Sequence, residues 1–195
     1  MKRIVLYGGA FSPPHLGHAS VIEAILNLFP CDEIWIMPSA DRLDKTVSAS
    51  AEHRLKMFNI MISELFLNPT VPIIISSLEI DRKKLTTTYD TMKELEEKYP
   101  DYEFYFLLGP DIAGNISQWI DGDKLIGETK TKFITYKDQS EKLPDNLPPR
   151  LTILDIRHSS ISSTMIRALI KDGHQDIPYL SKGVAEYIKK NNLYK

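Results

Sequence analysis

A chain of 195 residues, 43 % of them apolar, can bury one sizeable core and has room for little more than a small C-terminal subdomain beside it. A net charge of −2 supplies no generic attraction to nucleic acid or to a membrane surface, and no apolar run is long enough to span a bilayer. The single cysteine, Cys31, rules out an intrachain disulfide, has no Cys-x-x-Cys spacing and reads as a structural residue of a reducing, cytoplasmic compartment.

The basic start Met1-Lys2-Arg3 precedes an apolar run from Ile4 to Tyr7, too short for a signal peptide and suited to a buried first strand. Val21, Ile22, Ile25, Leu26 and Phe29 then recur at helical spacing. Five further strand candidates follow, at residues 33–37, 71–75, 103–108, 132–136 and 151–154. Several are continuously apolar, as parallel strands covered on both faces are. Helical patterns lie between them, one carried by Leu55, Phe58, Met61, Ile62 and Leu65, another by Met92, Leu95 and Tyr99. Trp35 falls inside a strand run and reads as core. Residues 137–150, with three prolines, read as a surface loop. Residues 181–194 carry Val184, Tyr187 and Ile188 at helical spacing and predict a closing helix packed back on the body.

This alternation implies a doubly wound α/β sheet with parallel strands. The expected organisation is one domain over residues 1–195, with a helical C-terminal part from about residue 160. Ligands of such sheets sit beyond the carboxyl ends of the strands, where strand order reverses. The first strand, if central, delivers the segment after it to that place.

That segment, Tyr7-Gly8-Gly9-Ala10-Phe11-Ser12-Pro13-Pro14-His15-Leu16-Gly17-His18, is the most informative in the chain. Two glycines ending a strand let the backbone approach a ligand closely, because no Cβ stands in the way. The helix that opens after them offers N–H groups and the positive end of its dipole to a phosphate. His15 and His18 are three residues apart, so a helical turn puts both rings on one side. The ordinary alternative is a tight glycine turn followed by a proline-initiated helix. Two histidines and two glycines at one strand-to-helix junction favour a polyphosphate site instead.

Three other segments add to it. Ser159-Ser160-Ile161-Ser162-Ser163-Thr164-Met165-Ile166-Arg167 follows the last strand and opens a helix. Taken alone this is most simply an ordinary N-cap with a solvated arginine, but after the final strand, and with His15 and His18 already placed, its hydroxyls and free N–H groups read as holding phosphate oxygens, with Arg167 as a charged fork. Pro38, Asp41, Asp44 and Lys45 form a charged loop after the second strand, with Arg54 early in the next helix; a solvated loop is the commoner meaning of such a stretch. Thr86 to Thr91 reads as the start of the Met92 helix. His158 reads as a turn residue and His174 as a surface one.

The first segment resembles the GGTFDPxHxGH signature of nicotinate/nicotinamide mononucleotide adenylyltransferases, members of the nucleotidyltransferases that share HxGH. Ser12 stands where most bacterial members carry Asp, and Ala10 where they carry Thr. Ile161 to Arg167 resembles the family's ISSTxIR. Pro38, Lys45 and Arg54 fall where family members carry Pro, Lys and Arg, although Leu43-Asp44-Lys45 replaces the common bacterial PPHK. Thr86-Thr87-Thr88-Tyr89-Asp90-Thr91 is similar to SYTxDT. Leu108-Gly109-Pro110-Asp111, with Trp119 eight residues on, is similar to LGxDxxxxxxxW. The ending Asn192-Leu193-Tyr194 is similar too, so the resemblance covers essentially the whole chain.

It implies a Rossmann-like fold and adenylyl transfer from ATP to a pyridine mononucleotide, with Mg²⁺ accompanying the triphosphate. His15, His18, Lys45 and Arg167 are then the catalytic groups. Gly8, Gly9, Ala10 and Phe11 bind ATP from the first loop, Ile161, Ser162, Ser163 and Thr164 from the last, and Gly109 and Asp111 through the ribose. Ser12, Arg54, Thr88 and Trp119 face the mononucleotide, Trp119 by stacking on the pyridine. No protein metal site, nucleic acid or membrane partner is implied, and a homo-oligomer is compatible with the resemblance.

A phosphate monoester is already a competent nucleophile near neutral pH, so positioning and charge stabilisation suffice. Rival readings are a sister adenylyltransferase acting on nicotinamide mononucleotide or phosphopantetheine, a fragment of a class I aminoacyl-tRNA synthetase, and a non-catalytic nucleotide-binding regulator. The chain is too short and insufficiently basic for the synthetase, and both histidines disfavour the regulator. The matches at Thr88 to Thr91 and at the C-terminus point to nicotinate; the Asp41…Lys45 loop points to tolerance of nicotinamide.

Overall fold

A computed structural model describes residues 1–40, 49–82, 86–137, 142–156, 161–174 and 176–195. Six parallel strands form one sheet in the order β3-β2-β1-β4-β5-β6. They are β1 (Lys2–Gly9), β2 (Glu33–Pro38), β3 (Ile73–Ile75), β4 (Tyr102–Leu108), β5 (Lys132–Lys137) and β6 (Leu151–Asp155). Each strand candidate is present, and β1 lies between β2 and β4, as the placement of the glycine–histidine junction requires. The chain winds outward through β2 and β3, then crosses back to β4. The reversal of strand order therefore falls between β1 and β4, and the loops leaving those two strands flank the crevice there.

Both faces of the sheet are covered, which explains the unbroken apolar run in β1. Val5 and Tyr7 enter one core cluster while Ile4 and Leu6 enter the other, following the two-residue period of a strand. The first cluster is built with α1 (Leu16–Leu28), α2 (Ala51–Leu65), α6 (Ser163–Lys171) and α7 (Lys182–Lys190). The second is built with α4 (Thr88–Lys98) and α5 (Gly122–Glu128). Trp35 is half-buried beside the second cluster, edge-on to Tyr99, Tyr102 and Phe104.

The predicted closing helix is α7, and it packs on α2. Glu64 accepts the Gly183 N–H at 2.7 Å, placing a carboxylate at the helix start, where the dipole favours it. The Tyr187 hydroxyl meets His53 Nδ1 at 2.9 Å. Three elements were not read from the sequence: α3 (Leu78–Asp81), a 3₁₀ turn at Ala113–Gln118, and α5. The first two are too short to show a period, and α5 opens on Gly122, a poor helix former. The loop before β6 is less loose than expected among its described residues: Pro148 is buried, and Pro144 packs against Gly114.

Cys31 is a free, half-buried thiol that burial pushes up to about 11, consistent with a structural residue. His174 is exposed, as expected.

Candidate active site

The loop between β1 and α1 is held at successive carbonyl groups. Arg54 Nη1 donates to Ala10 O at 2.8 Å, Arg167 Nη1 to Ser12 O at 2.8 Å, and Ser163 Oγ to Pro13 O at 2.8 Å. These donors come from α2 and α6, so the first and last segments singled out in the sequence meet. Phe11, inside the loop, sits in the left-handed region at φ 48°. That conformation costs on the order of 1–3 kcal/mol for a non-glycine residue. Its ring offsets the cost by burial, packing edge-on against Tyr7, His18 and Phe58 at centroid distances of 5.2, 5.0 and 4.7 Å. The same ring lies 3.1 Å from where a Cβ on Gly9 would stand, so that position accepts only glycine without rearrangement.

His15 occupies the N-cap of α1, and His18 is one turn in. Their rings stack with centroids 3.7 Å apart and planes at 26°. The His15 backbone N–H donates to His18 Nδ1 at 3.1 Å. A backbone N–H can only donate, so neutral His18 must carry its proton on Nε2. His18 is thereby a fixed donor through Nε2. His15 is buried, and its Nδ1 has no hydrogen-bond partner among the described residues. Gly17 makes room for that ring, because a Cβ there would lie 2.9 Å from His15 Nδ1. The helix start is less open than expected: the Leu16 N–H already donates to Tyr179 O at 2.8 Å.

Burial pushes the His15 imidazole down to about 4. It also holds His18 well below the ordinary imidazole value, with His15 as the second cause. Both rings are therefore neutral at pH 7. In the unfolded chain they titrate near 6.5, so the unfolded state binds more protons below that pH. Stability from this pair is complete above about pH 6.5 and is lost as pH falls toward 4. For His15 alone the loss at pH 5 is on the order of 1–2 kcal/mol. Urea midpoints measured between pH 7 and 5 should fall, and His15→Gln should flatten the slope; an unchanged slope in that variant would count against the assignment.

Across the loop, α6 begins at Ser162, whose Oγ caps the Met165 N–H at 3.2 Å. Arg167 is half-buried, with Nη2 on Thr164 Oγ1 at 3.1 Å. Ile161 packs over Gly17. On the β4 side, the Phe106 ring lies 3.1 Å from the Cβ position of Gly8 and meets Trp119 edge-on at 6.3 Å. Trp119 is half-buried at the end of the 3₁₀ turn, and exposed Asp111 folds its carboxylate over Gly109. Thr88 is the first residue of α4. The N-cap is Thr87, which exchanges hydrogen bonds with Asp90 in a capping box. Topology sets this helix start at the carboxyl edge of the sheet, but no hydrogen bond or ring contact joins Thr88 to the histidines among the described residues. Lys45, with Asp41 and Asp44, lies outside the described residues, as do His158, Ser159 and Ser160.

Two residues expected to face the mononucleotide have side chains bonded within the protein. Arg54 is fully buried and spends its guanidinium on carbonyl groups: Ala10 O, Ser39 O at 2.7 Å and Ala49 O at 3.3 Å. Ser12 is buried too, and its Oγ faces the Tyr194 hydroxyl at 3.1 Å. Both belong to the bonding that holds the loop after β1. Sequence reasoning also missed Ser39, whose carbonyl completes the Arg54 cradle, and Tyr194. A carbonyl acceptor leaves no trace in residue type, whereas a tyrosine in the final residues was visible without its partner.

Residues 6–169 match the family model described as cytidylyltransferase-like. A probable nicotinate-nucleotide adenylyltransferase of Bacillus licheniformis is 31 % identical over 100 % of this chain and 99 % of its own length. One of the same name from Streptococcus mutans is 32 % identical over 99 % of this chain and 89 % of its own. Among solved structures, the Plasmodium falciparum nicotinic acid mononucleotide adenylyltransferase complexed with NaAD superposes with a TM-score of 0.82, at 32 % identity over 100 % of this chain and 98 % of that one. The same enzyme complexed with APC gives 0.83. By full-length sequence and by fold, the chain belongs to the nicotinate-nucleotide adenylyltransferases of the cytidylyltransferase-like family.

Proposed function

We propose that the protein transfers the adenylyl group of ATP to nicotinate mononucleotide, releasing pyrophosphate in NAD biosynthesis. A 5′-phosphate oxygen of the mononucleotide forms a bond to the α-phosphorus of ATP. The bond from that phosphorus to the bridging oxygen breaks, and its electron pair leaves with pyrophosphate. The observation that carries this reading is the meeting of the His15–His18 stack, the start of α6 and Arg167 on one loop at the strand-order reversal.

The groups offered there are imidazole, guanidinium and helix-start donors, a set that fits a polyanion. His18 Nε2–H and Arg167 stabilise charge that builds on the departing pyrophosphate. Trp119 supplies a flat face for the pyridine, and Gly109 with Asp111 a place for ribose hydroxyls. Imidazole, guanidinium and N–H donors suit the polyanion and not Mg²⁺, so a magnesium ion accompanying the triphosphate would be held by phosphate oxygens and water and would screen charge there.

Purified protein with ATP, Mg²⁺ and nicotinate mononucleotide should yield a dinucleotide and pyrophosphate. Nicotinate should be preferred over nicotinamide mononucleotide by roughly tenfold in kcat/KM, the scale that a few hydrogen bonds give. Equal values would sink the preference, and turnover with phosphopantetheine alone would overturn the substrate class.

A further inference from the structure

Chain ends usually fray unless something ties them down. Here the last residues are bent inward. Asn192 and Tyr194 both occupy the left-handed region, at φ 52° and 67°, which asparagine adopts readily after a helix and tyrosine does not. The Leu193 N–H bonds back to Ile188 O at 3.1 Å, and Lys195 Nζ reaches Asn192 Oδ1 at 2.6 Å. The outcome is a Tyr194 side chain only 8 % exposed, inside the core cluster of α1, α2, α6 and α7. Its hydroxyl lies 3.1 Å from Ser12 Oγ, across 182 residues of sequence.

Ser12 is thus fixed at two atoms. Its carbonyl oxygen accepts from Arg167, and its hydroxyl is paired with Tyr194. Both guanidinium groups that hold the loop, Arg54 and Arg167, are near enough to favour the ionised phenol, although burial dominates and pushes the hydroxyl up to about 12. The phenol therefore remains a neutral hydrogen-bonding group at every working pH. Loss of the bond from either end leaves a buried hydroxyl unpaired and removes one of the two ties that hold the Ser12 segment, so its carbonyl is held less firmly. That carbonyl is the anchor of Arg167. Misplacement of a charged group by a fraction of an ångström is costly where catalysis consists of positioning.

We propose that Tyr194 is a positioning residue for the triphosphate side of the cleft, acting through Ser12 on the placement of Arg167. This rests on the adenylyl-transfer reading above and adds to it a part for the C-terminal tail. The tail is a brace for the nucleotide loop, held in place by the α7–α2 contacts at Gly183 and Tyr187.

The test compares Tyr194→Phe, Ser12→Ala and the double variant with the wild type. Tyr194→Phe keeps the buried ring and removes one oxygen. Ser12→Ala removes the same bond from the other end, so a folding failure of either leaves the other to decide. The first readout is calorimetric affinity for a non-hydrolysable ATP analogue, which involves no acceptor mononucleotide. The second is kcat and KM for each substrate. Each single variant should lose about 5- to 20-fold in kcat/KM for ATP, with KM for the mononucleotide within about twofold of wild type. The double variant should be no worse than the poorer single one, because both remove one shared interaction. Losses that multiply in the double variant, or single variants within twofold of wild type, overturn the proposal. Wild-type protein that binds the analogue but does not turn over nicotinate mononucleotide overturns only the choice of acceptor. Protein that does not bind it overturns both.

Discussion

His18→Ala is expected to lower kcat by about 10²-fold or more, the loss that follows removal of one preorganised donor to charge developing in a transition state. Three features of the ring underlie this. Its stack on His15 and its edge contact with Phe11 fix its plane. The His15 N–H on Nδ1 fixes its tautomer, leaving Nε2–H as the donor. Burial keeps it neutral at pH 7, so it donates without carrying a charge that must be desolvated. A second variant separates the donor from the fold. In His18→Asn the amide oxygen can take the place of Nδ1 and accept the His15 N–H, but nothing replaces Nε2–H. Steady-state kinetics and a thermal melt on both variants decide the matter. His18→Asn should melt close to wild type and remain as slow as His18→Ala. If His18→Asn recovered most of the activity, the ring would be acting as a cap of α1 and not on the substrate.

The glycines and histidines that the structure brings together where β1 leads into α1 were legible because residue type and spacing there are themselves the signal. Glycine where a backbone must be bare, histidines three apart and an apolar run before them all follow from local geometry. The strands were equally legible, since burial on both faces leaves Ile4 to Tyr7 no polar position. Arg54 shows where such reading stops. An arginine early in a helix beside a basic loop has the same appearance whether it reaches a phosphate or three carbonyl groups of its own protein. Only tertiary structure supplies Ala10, Ser39 and Ala49 as acceptors, and none of them is marked by its side chain. Ser12 is similar. Its departure from the family's Asp was visible, but the hydroxyl that meets it comes from the other end of the chain.

Arg54→Met should destabilise the fold by about 2–4 kcal/mol. Methionine fills much of the arginine stem's volume, so the cost is not chiefly a cavity. It arises because the Ala10, Ser39 and Ala49 carbonyls lose their donor: the bond to Ala49 is buried and carries the full cost of an unpaired buried group, roughly 1–3 kcal/mol, while the part-buried bonds to Ala10 and Ser39 carry less. Those carbonyls belong to the loop after β1, the loop after β2 and the residues leading into α2, so the three should loosen together. At an m-value of about 2 kcal/mol/M, the urea midpoint would fall by about 1–2 M. Activity should fall as well, because Ala10 belongs to the loop that carries His15. Arg54→Lys should recover only part of the stability, since one ammonium cannot follow the directions of a planar fork. A residue that met the mononucleotide directly would behave in the opposite way, with a raised KM for that substrate and an unaltered urea midpoint. A midpoint within about 0.5 M of wild type in Arg54→Met would therefore return Arg54 to the substrate side of the cleft.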